Sequence, residues 1–208
     1  MTDLDFVHKF VPSPGGSALT LLLLHGTGGS ETDLLNLGRR LSPGAALLSP
    51  RGRVLENGMP RFFRRLSEGV FDINDLTEQT HALARFIESA SQSYGFSLDR
   101  VVAVGFSNGA NIAGSMLILH PEALAGAILM RPMVPFMPDT LPDLLRKPIL
   151  ILAGTRDAIV PTEETERLEE LLERAGADLT LQWADATHGI TSDEVAAARD
   201  WLASKFLA

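Results

Sequence analysis

The stretch Arg100 to Gly114, RVVAVGFSNGANIAG, decides the fold class, because it joins two apolar runs through a serine flanked by glycines. The first run, residues 100–105, is short and continuously apolar, which is typical of a strand covered on both faces of a parallel sheet. The second run, NIAGSMLILH, is apolar on nearly every side and predicts a buried helix that ends near His120. A buried strand followed at once by a buried helix is a unit of a parallel α/β sheet.

Six further strand-like segments lie along the chain and alternate with longer helical patterns. The predicted strands are Phe6 to Val11, Ala18 to Leu24, Ala45 to Ser49, Arg100 to Gly105, Leu124 to Met130, Pro148 to Ala153 and Ala177 to Ala184. Only the first two are expected to pair antiparallel, through the turn PSPGGS. The sequence therefore predicts an α/β protein with a mostly parallel sheet of about seven strands, in a single domain over residues 1–208.

Helix starts are indicated by a small polar or acidic residue followed three positions later by an acidic one. This spacing occurs at Ser30 with Asp33, at Asp75 with Glu78, and at Thr191 with Glu194. The second pair is expected to begin a long helix that ends near Tyr94.

Composition excludes several classes of function. A net charge of −8 on 208 residues opposes nucleic-acid binding, which needs clustered Lys and Arg. The absence of Cys excludes disulfides, thiolate metal sites and a cysteine nucleophile. The start of the chain is acidic rather than basic, and the apolar run Leu19 to Leu24 is far shorter than a membrane span. We expect a cytoplasmic monomer or homodimer without nucleic-acid partners or stable membrane association.

Ser107 lies at the junction of the predicted strand and helix, in Gly105-Phe-Ser-Asn-Gly109, which fits the pattern G-x-S-x-G. In this pattern the serine takes a strained backbone conformation, and the glycines remove side chains that would clash with the neighbouring strand and helix. A serine that only caps the helix is the alternative interpretation. Its place at the carboxyl end of a buried strand favours a nucleophile.

A nucleophilic serine needs a base and an acid that orients the base. His188 is the only histidine after the last predicted strand, so we expect it to be the base. Asp157 follows a fully apolar strand and is the expected acid; Asp185, three residues before His188, is the rival. A partner on a neighbouring loop approaches the imidazole Nδ1 more readily, which favours Asp157. His25 is expected to hold the Gly26 loop by hydrogen bonding.

The segment LLLLHGTGGS supplies the remaining requirement, donors for an oxyanion. The backbone N–H of Asn108, next to the nucleophile, is one expected donor, and the N–H of Thr27 is the other. A phosphate site is less well supported, because the glycines form neither G-x-G-x-x-G nor a Gly-Lys pair. No two histidines have the spacing of a local zinc motif, so no metal and no cofactor are expected.

With these motifs in order, the chain resembles the carboxylesterase/phospholipase branch of the α/β-hydrolase superfamily, which also contains acyl-protein thioesterases. LHGTGG matches the oxyanion loop of that branch, GFSNGA its elbow, GTRDAIVP its acid loop and HGI its histidine loop. The resemblance implies an α/β-hydrolase fold, a triad of Ser107, Asp157 and His188, and Thr27 and Asn108 as oxyanion donors. Thioesterase members usually carry Gln where this chain has Asn108. SPRGRVLENGMPRFFRR with GFSNGANIA is more similar to bacterial esterases associated with aromatic or quinone stress.

The expected function is hydrolysis of small or medium carboxylic esters through an acyl-enzyme. A thioesterase or lysophospholipase is the nearest alternative, and a non-catalytic binding module on the same fold is a third. Dehalogenases and epoxide hydrolases would be expected to carry Asp at the elbow, and dienelactone-type hydrolysis commonly uses Cys. Residue 107 is neither.

Two segments are candidates for substrate contact. The segment Arg51 to Arg65 holds five of the fifteen arginines and one acid, Glu56. It is interpreted either as a solvated loop, some of whose arginines pair with Asp72 or Asp75, or as a crevice border. In the latter interpretation Phe62 and Phe63 offer aromatic contact and Arg61, Arg64 or Arg65 a planar charge.

The second segment, 17 residues between Met130 and Pro148, is too short for a helical cap domain. It is expected to leave an open site lined in part by Met133, Phe136 and Met137, unless these three only pack on the sheet.

Overall fold

The central sheet contains all seven predicted strands. The computed structural model describes residues 4–207. The strands of this sheet are His8–Val11 (β1), Thr20–Leu24 (β2), Ala46–Pro50 (β3), Val101–Phe106 (β8), Gly126–Met130 (β9), Pro148–Gly154 (β10) and Asp178–Ala184 (β11). They are arranged in the order β1-β3-β2-β8-β9-β10-β11. Every pair is parallel except β1 with β3. This mostly parallel sheet, flanked by helices, confirms the expected α/β-hydrolase fold.

The antiparallel partner of β1 differs from the expectation. β1 pairs with β3, from His8 opposite Pro50 to Val11 opposite Leu47, and not with β2. β2 instead lies between β3 and β8 and is parallel to both. All five β2 residues are buried, whereas the four β1 residues are half-buried or exposed. The fully buried strand β2 therefore takes an interior place in the sheet, and β1 forms the edge.

Five α-helices within residues 4–207 cover the two faces of the sheet. They are Leu35–Leu41 (α1), Ile73–Tyr94 (α2), Asn108–Leu119 (α3), Thr162–Arg174 (α4) and Ser192–Phe206 (α5), with short 3-10 helices at 98–100 and 121–123. Buried side chains of α2, α3 and α4 share one apolar core with one face of the sheet. Those of α1 and α5 share a second core with the opposite face.

The predicted helix starts have three different outcomes. The capping box of Thr191 and Glu194 is confirmed at the start of α5. The N-cap of α2 is Asp72, three residues before the expected Asp75, because the Asp72 side chain accepts the N–H of Asp75. The third start, at Ser30 and Asp33, is wrong: α1 begins only at Leu35 and has no side-chain cap. The Ser30 hydroxyl instead donates to the Asp33 carboxylate in the preceding turn.

Between β3 and α2 the chain forms two small hairpins that the sequence analysis does not predict. They pair Val54–Glu56 (β4) with Met59–Arg61 (β5), and Arg65–Ser67 (β6) with Val70–Phe71 (β7). Residues 131–147 contain no helix or strand, which agrees with the expected absence of a cap domain. Within residues 4–207, no helix combines the length and the apolarity that crossing a membrane requires.

Candidate active site

Ser107 lies at a sharp turn between β8 and α3. Its φ of 52° and ψ of −114° fall in a region that residues other than glycine seldom adopt. Its N–H donates to Met130 O on the adjacent strand at 2.9 Å. A Cβ atom at Gly109 would lie 2.0 Å from Leu24 O, so only glycine allows α3 to approach the end of β2 this closely. The turn holds Ser107 at the carboxyl edge of the sheet.

Asp157 and His188 meet at the same edge, on the loops after β10 and β11. His188 Nδ1 donates to Asp157 Oδ2 at 2.8 Å. The ring of Phe106, the residue before Ser107, contacts the His188 ring with centroids 5.3 Å apart. The rival acid Asp185 is 83% exposed and pairs with Arg156. The structure therefore brings Asp157, and not Asp185, to His188.

The Asp157 carboxylate is almost completely buried and accepts three hydrogen bonds. Its Oδ1 accepts the N–H groups of Ile159 at 2.8 Å and Val160 at 3.1 Å. Burial by itself would raise the pKa of Asp157, but the bonds from Ile159, His188 and Val160 outweigh it and lower the pKa below its usual value. Asp157 is thus held as a carboxylate that can orient the imidazole.

Arg131 stabilises the histidine loop, a role that the sequence analysis does not predict. Its guanidinium is fully buried and donates to the backbone oxygens of Thr187 at 3.1 Å and Gly189 at 2.7 Å, on both sides of His188. The same group donates to both carboxylate oxygens of Glu194, at 2.6 and 3.0 Å. Its Nε lies 3.9 Å from Asp157 Oδ2. The position of Arg131 directly after an apolar strand was the available sequence signal.

Glu194 connects this ion pair to the start of α5. Its Oε2 accepts the N–H and the hydroxyl of Thr191, both at 2.9 Å. Burial would raise the pKa of Glu194, but the hydrogen bonds from Arg131 and Thr191 lower it below its usual value. The capping box therefore fixes the loop of His188 as well as the helix.

Thr27 and Asn108 both border the crevice beside Ser107. Within residues 4–207 neither of their N–H groups donates to another protein group. His25 Nδ1 donates to Gly26 O at 2.7 Å, as expected. Burial lowers the pKa of His25, which is consistent with a neutral ring that donates through one nitrogen and accepts through the other.

Each arginine of the segment 51–65 has a carboxylate partner. The pairs are Arg51–Glu31, Arg53–Asp5, Arg61–Glu56, Arg64–Asp72 and Arg65–Glu56. Arg61 and Arg65 border the crevice, whereas Arg64 does not. These pairs favour the interpretation in which the arginines stabilise the loop itself.

Only some of the residues predicted to contact substrate line the crevice beside Ser107. The crevice beside Ser107 has a volume of about 50 Å³ and includes Met133 and Arg61. Phe62 and Phe63 are 1% and 0% exposed, so their rings pack in the core, and the expectation that they border the crevice is corrected. Phe136 is half-buried and also packs against the core. Met137 is 53% exposed and lies outside the crevice lining.

Comparison with known proteins identifies relatives over nearly the whole chain. The model of the dienelactone hydrolase family matches residues 64–205. The putative hydrolase MhqD of Bacillus subtilis (strain 168) is 50% identical over 193 residues, which cover 93% of this chain and 96% of that protein.

Two solved structures extend this similarity to the fold. The Bacillus cereus carboxylesterase is 46% identical, with a TM-score of 0.95 over 97% of this chain and 95% of that chain. A carboxylesterase from Mesorhizobium loti is 34% identical, with a TM-score of 0.91 over 98% of this chain and 97% of that chain.

Proposed function

Because the chain belongs to the dienelactone hydrolase family, within the α/β-hydrolase superfamily, we propose that it cleaves carboxylic esters with Ser107 as nucleophile, His188 as base and Asp157 as orienting acid. The protein is a hydrolase of the carboxylesterase type. The observation that carries the triad is the 2.8 Å hydrogen bond between His188 and Asp157 beside the strained turn of Ser107. Residue 107 is serine, and the chain has no cysteine that could act in its place.

The first half of the proposed reaction forms an acyl-enzyme. Since Nδ1 of His188 is engaged with Asp157, Nε2 takes the proton of the Ser107 hydroxyl as Oγ attacks the ester carbonyl carbon. The carbonyl oxygen becomes an oxyanion that accepts hydrogen bonds from the N–H groups of Thr27 and Asn108. The bond from carbon to the alcohol oxygen then breaks, and His188 returns the proton to the departing alcohol.

In the second half a water molecule releases the acid. His188 takes one proton from the water as the water oxygen attacks the acyl carbon. The carbonyl oxygen again becomes an oxyanion and accepts hydrogen bonds from the N–H groups of Thr27 and Asn108. Cleavage of the bond to Ser107 Oγ, with proton return from His188, restores the enzyme and releases the carboxylic acid. Each half therefore needs the same two donors and the same base.

The crevice favours compact substrates. Its volume of about 50 Å³ next to Ser107 suits a short acyl group better than a long lipid chain. The connection of residues 131–147 has no helix that could cover the site. We expect hydrolysis rates to fall as the acyl chain lengthens, with no jump in rate above the solubility limit of a long-chain ester.

The test is the variant Ser107→Ala on p-nitrophenyl esters of increasing acyl length, with matched thioesters. Loss of the nucleophile leaves only binding and oxyanion stabilisation, so turnover should fall about 10³-fold or more at an unchanged melting temperature. More than a tenth of the wild-type rate in a folded variant would overturn the assignment. Faster turnover of the thioesters would make the thioesterase alternative the better description.

A further inference from the structure

The segment of residues 52–63, called here the clamp segment, bonds to both residues of the proposed oxyanion hole. Arg61 Nη1 donates to Thr27 Oγ1 at 2.7 Å, and the Phe62 N–H donates to Asn108 Oδ1 at 2.7 Å. Arg61 and Phe62 are consecutive, so these two bonds connect the loop after β2 to the first residue of α3. One short piece of backbone therefore links the two oxyanion donors.

Two further bonds fix the same loop to the clamp segment. The Gly28 N–H donates to Pro60 O at 2.8 Å, and the Gly52 N–H donates to His25 Nε2 at 2.9 Å. A Cβ at Gly52 would lie 2.3 Å from the carbonyl carbon of Arg61, so the two ends of the clamp segment touch through their backbones. The loop that carries Thr27 is thus held at three of its residues.

The Nε and Nη1 atoms of Arg61 are engaged with protein groups. Its side chain is 4% exposed, and Nε lies 3.2 Å from Glu56 Oε2. Nε also donates to Phe63 O at 3.1 Å. A buried guanidinium with a carboxylate partner and fixed acceptors has its charge compensated within the fold, so little of it is left to attract a substrate carboxylate.

We propose that the clamp segment, through Arg61 and Phe62, sets the spacing of the two oxyanion N–H groups, with Arg61 as a positioning residue and not a substrate ligand. This inference rests on the proposed function, because it assumes that an oxyanion forms between Thr27 and Asn108. Donors that are aimed at the oxyanion stabilise the transition state more than the bound ester. Loss of their spacing therefore lowers kcat more than it raises KM.

The experiment compares Thr27→Val, Thr27→Ser and Arg61→Gln. Valine keeps the shape and the backbone N–H of Thr27 but removes the hydroxyl that Arg61 contacts, whereas serine keeps that hydroxyl. Arg53→Gln is the matched control, because Arg53 belongs to the same segment but bonds to Asp5 and Gln79. For each variant we would measure kcat and KM on a neutral and a carboxylate-bearing aryl ester, and the inhibition constant of a trifluoromethyl ketone, which imitates the tetrahedral intermediate.

We expect Thr27→Val and Arg61→Gln each to lower kcat about tenfold or more on both esters, with KM changed less than about threefold. Inhibitor affinity falls by a similar factor, and the double variant loses little more than either single one. Thr27→Ser recovers most of the loss, and Arg53→Gln stays within about twofold of wild type. Unchanged kcat and inhibitor affinity, or a rise in KM confined to the carboxylate-bearing ester in Arg61→Gln, overturns the proposal. Failure of the proposed function is distinguishable, because it appears as activity in Ser107→Ala.

Discussion

The two halves of the candidate site are built from different kinds of interaction. The half that contains Asp157 and His188 depends on buried charge, because Arg131 and Glu194 form an ion pair beneath the histidine loop. In the half that contains Thr27 and Asn108, backbone N–H groups donate three of the four hydrogen bonds to the clamp segment, and close backbone contact at Gly52 adds to them. The first half should therefore respond to changes of charge and pH, and the second to changes of shape.

The largest expected effect is in the half built on charge. Asp157→Asn should lower kcat/KM about 10⁴-fold, because an amide favours the wrong imidazole tautomer. Asp185→Asn is the matched control, since Asp185 is 83% exposed and bonds to Arg156 instead of His188, and it should stay within about twofold of wild type. A large loss of kcat/KM in Asp185→Asn, with only a small loss in Asp157→Asn, would show that Asp185 and not Asp157 is the orienting acid.

Arg131→Met should lower kcat/KM about 10²-fold, because the loop of His188 loses the donor that bonds to its backbone on both sides. It also leaves the Glu194 carboxylate buried without its cation, which is strongly destabilising. Adding Glu194→Gln removes that uncompensated charge. The double variant should have a higher melting temperature than Arg131→Met but no higher activity. Recovery of both melting temperature and activity would show that the Arg131–Glu194 ion pair contributes to stability alone.

The same ion pair predicts how stability changes in acid. The pKa of folded Glu194 is lowered from an ordinary value of 4.5, so the folded state binds this proton less readily than the unfolded state does. Its contribution is complete above about pH 4.5 and is lost as the pH falls towards the folded pKa. Urea unfolding between pH 6 and 3 should show a smaller loss of unfolding free energy for Glu194→Gln than for wild type. Identical pH profiles would contradict this role of Glu194.

The smallest expected effect probes the half built on shape. Gly52→Ala forces a Cβ to within 2.3 Å of the Arg61 backbone, so the clamp segment must shift, and we expect kcat to fall about tenfold. Gly44→Ala is the control, since a Cβ there meets nothing within 4 Å. The pH dependence of stability should be the same in both variants. A wild-type kcat in a folded Gly52→Ala would show that the spacing tolerates the shift.

The sequence predicts the parts of the molecule that local patterns encode. All seven central strands are continuous or alternating apolar runs, and the elbow, acid loop and histidine loop each follow one of them. The partner of β1 was missed because strand order depends on which strand is buried on both faces, and that depends on the assembled sheet. The hairpins β4–β5 and β6–β7 were missed because strands of two or three residues carry no usable periodicity.

Contacts between residues far apart in the chain explain the remaining differences between the predicted and the observed site. Arg131 reaches Glu194 across 63 positions of the chain, and Phe62 reaches Asn108 across 46. No spacing rule connects residues so far apart. Phe62 and Phe63 are expected at the crevice because their segment follows a strand that ends at the carboxyl edge of the sheet. Apolar rings are stabilised by burial, however, and both rings lie in the core.

The central claim is that Ser107 is the nucleophile. Its most direct test is reaction of the wild-type protein and Ser107→Ala with a fluorophosphonate probe, followed by mass analysis of the intact proteins and of their peptides. We predict one adduct per wild-type chain, located on Ser107, and no adduct on the variant. An unlabelled wild-type protein that hydrolyses esters, or equal labelling of the variant, would contradict the account.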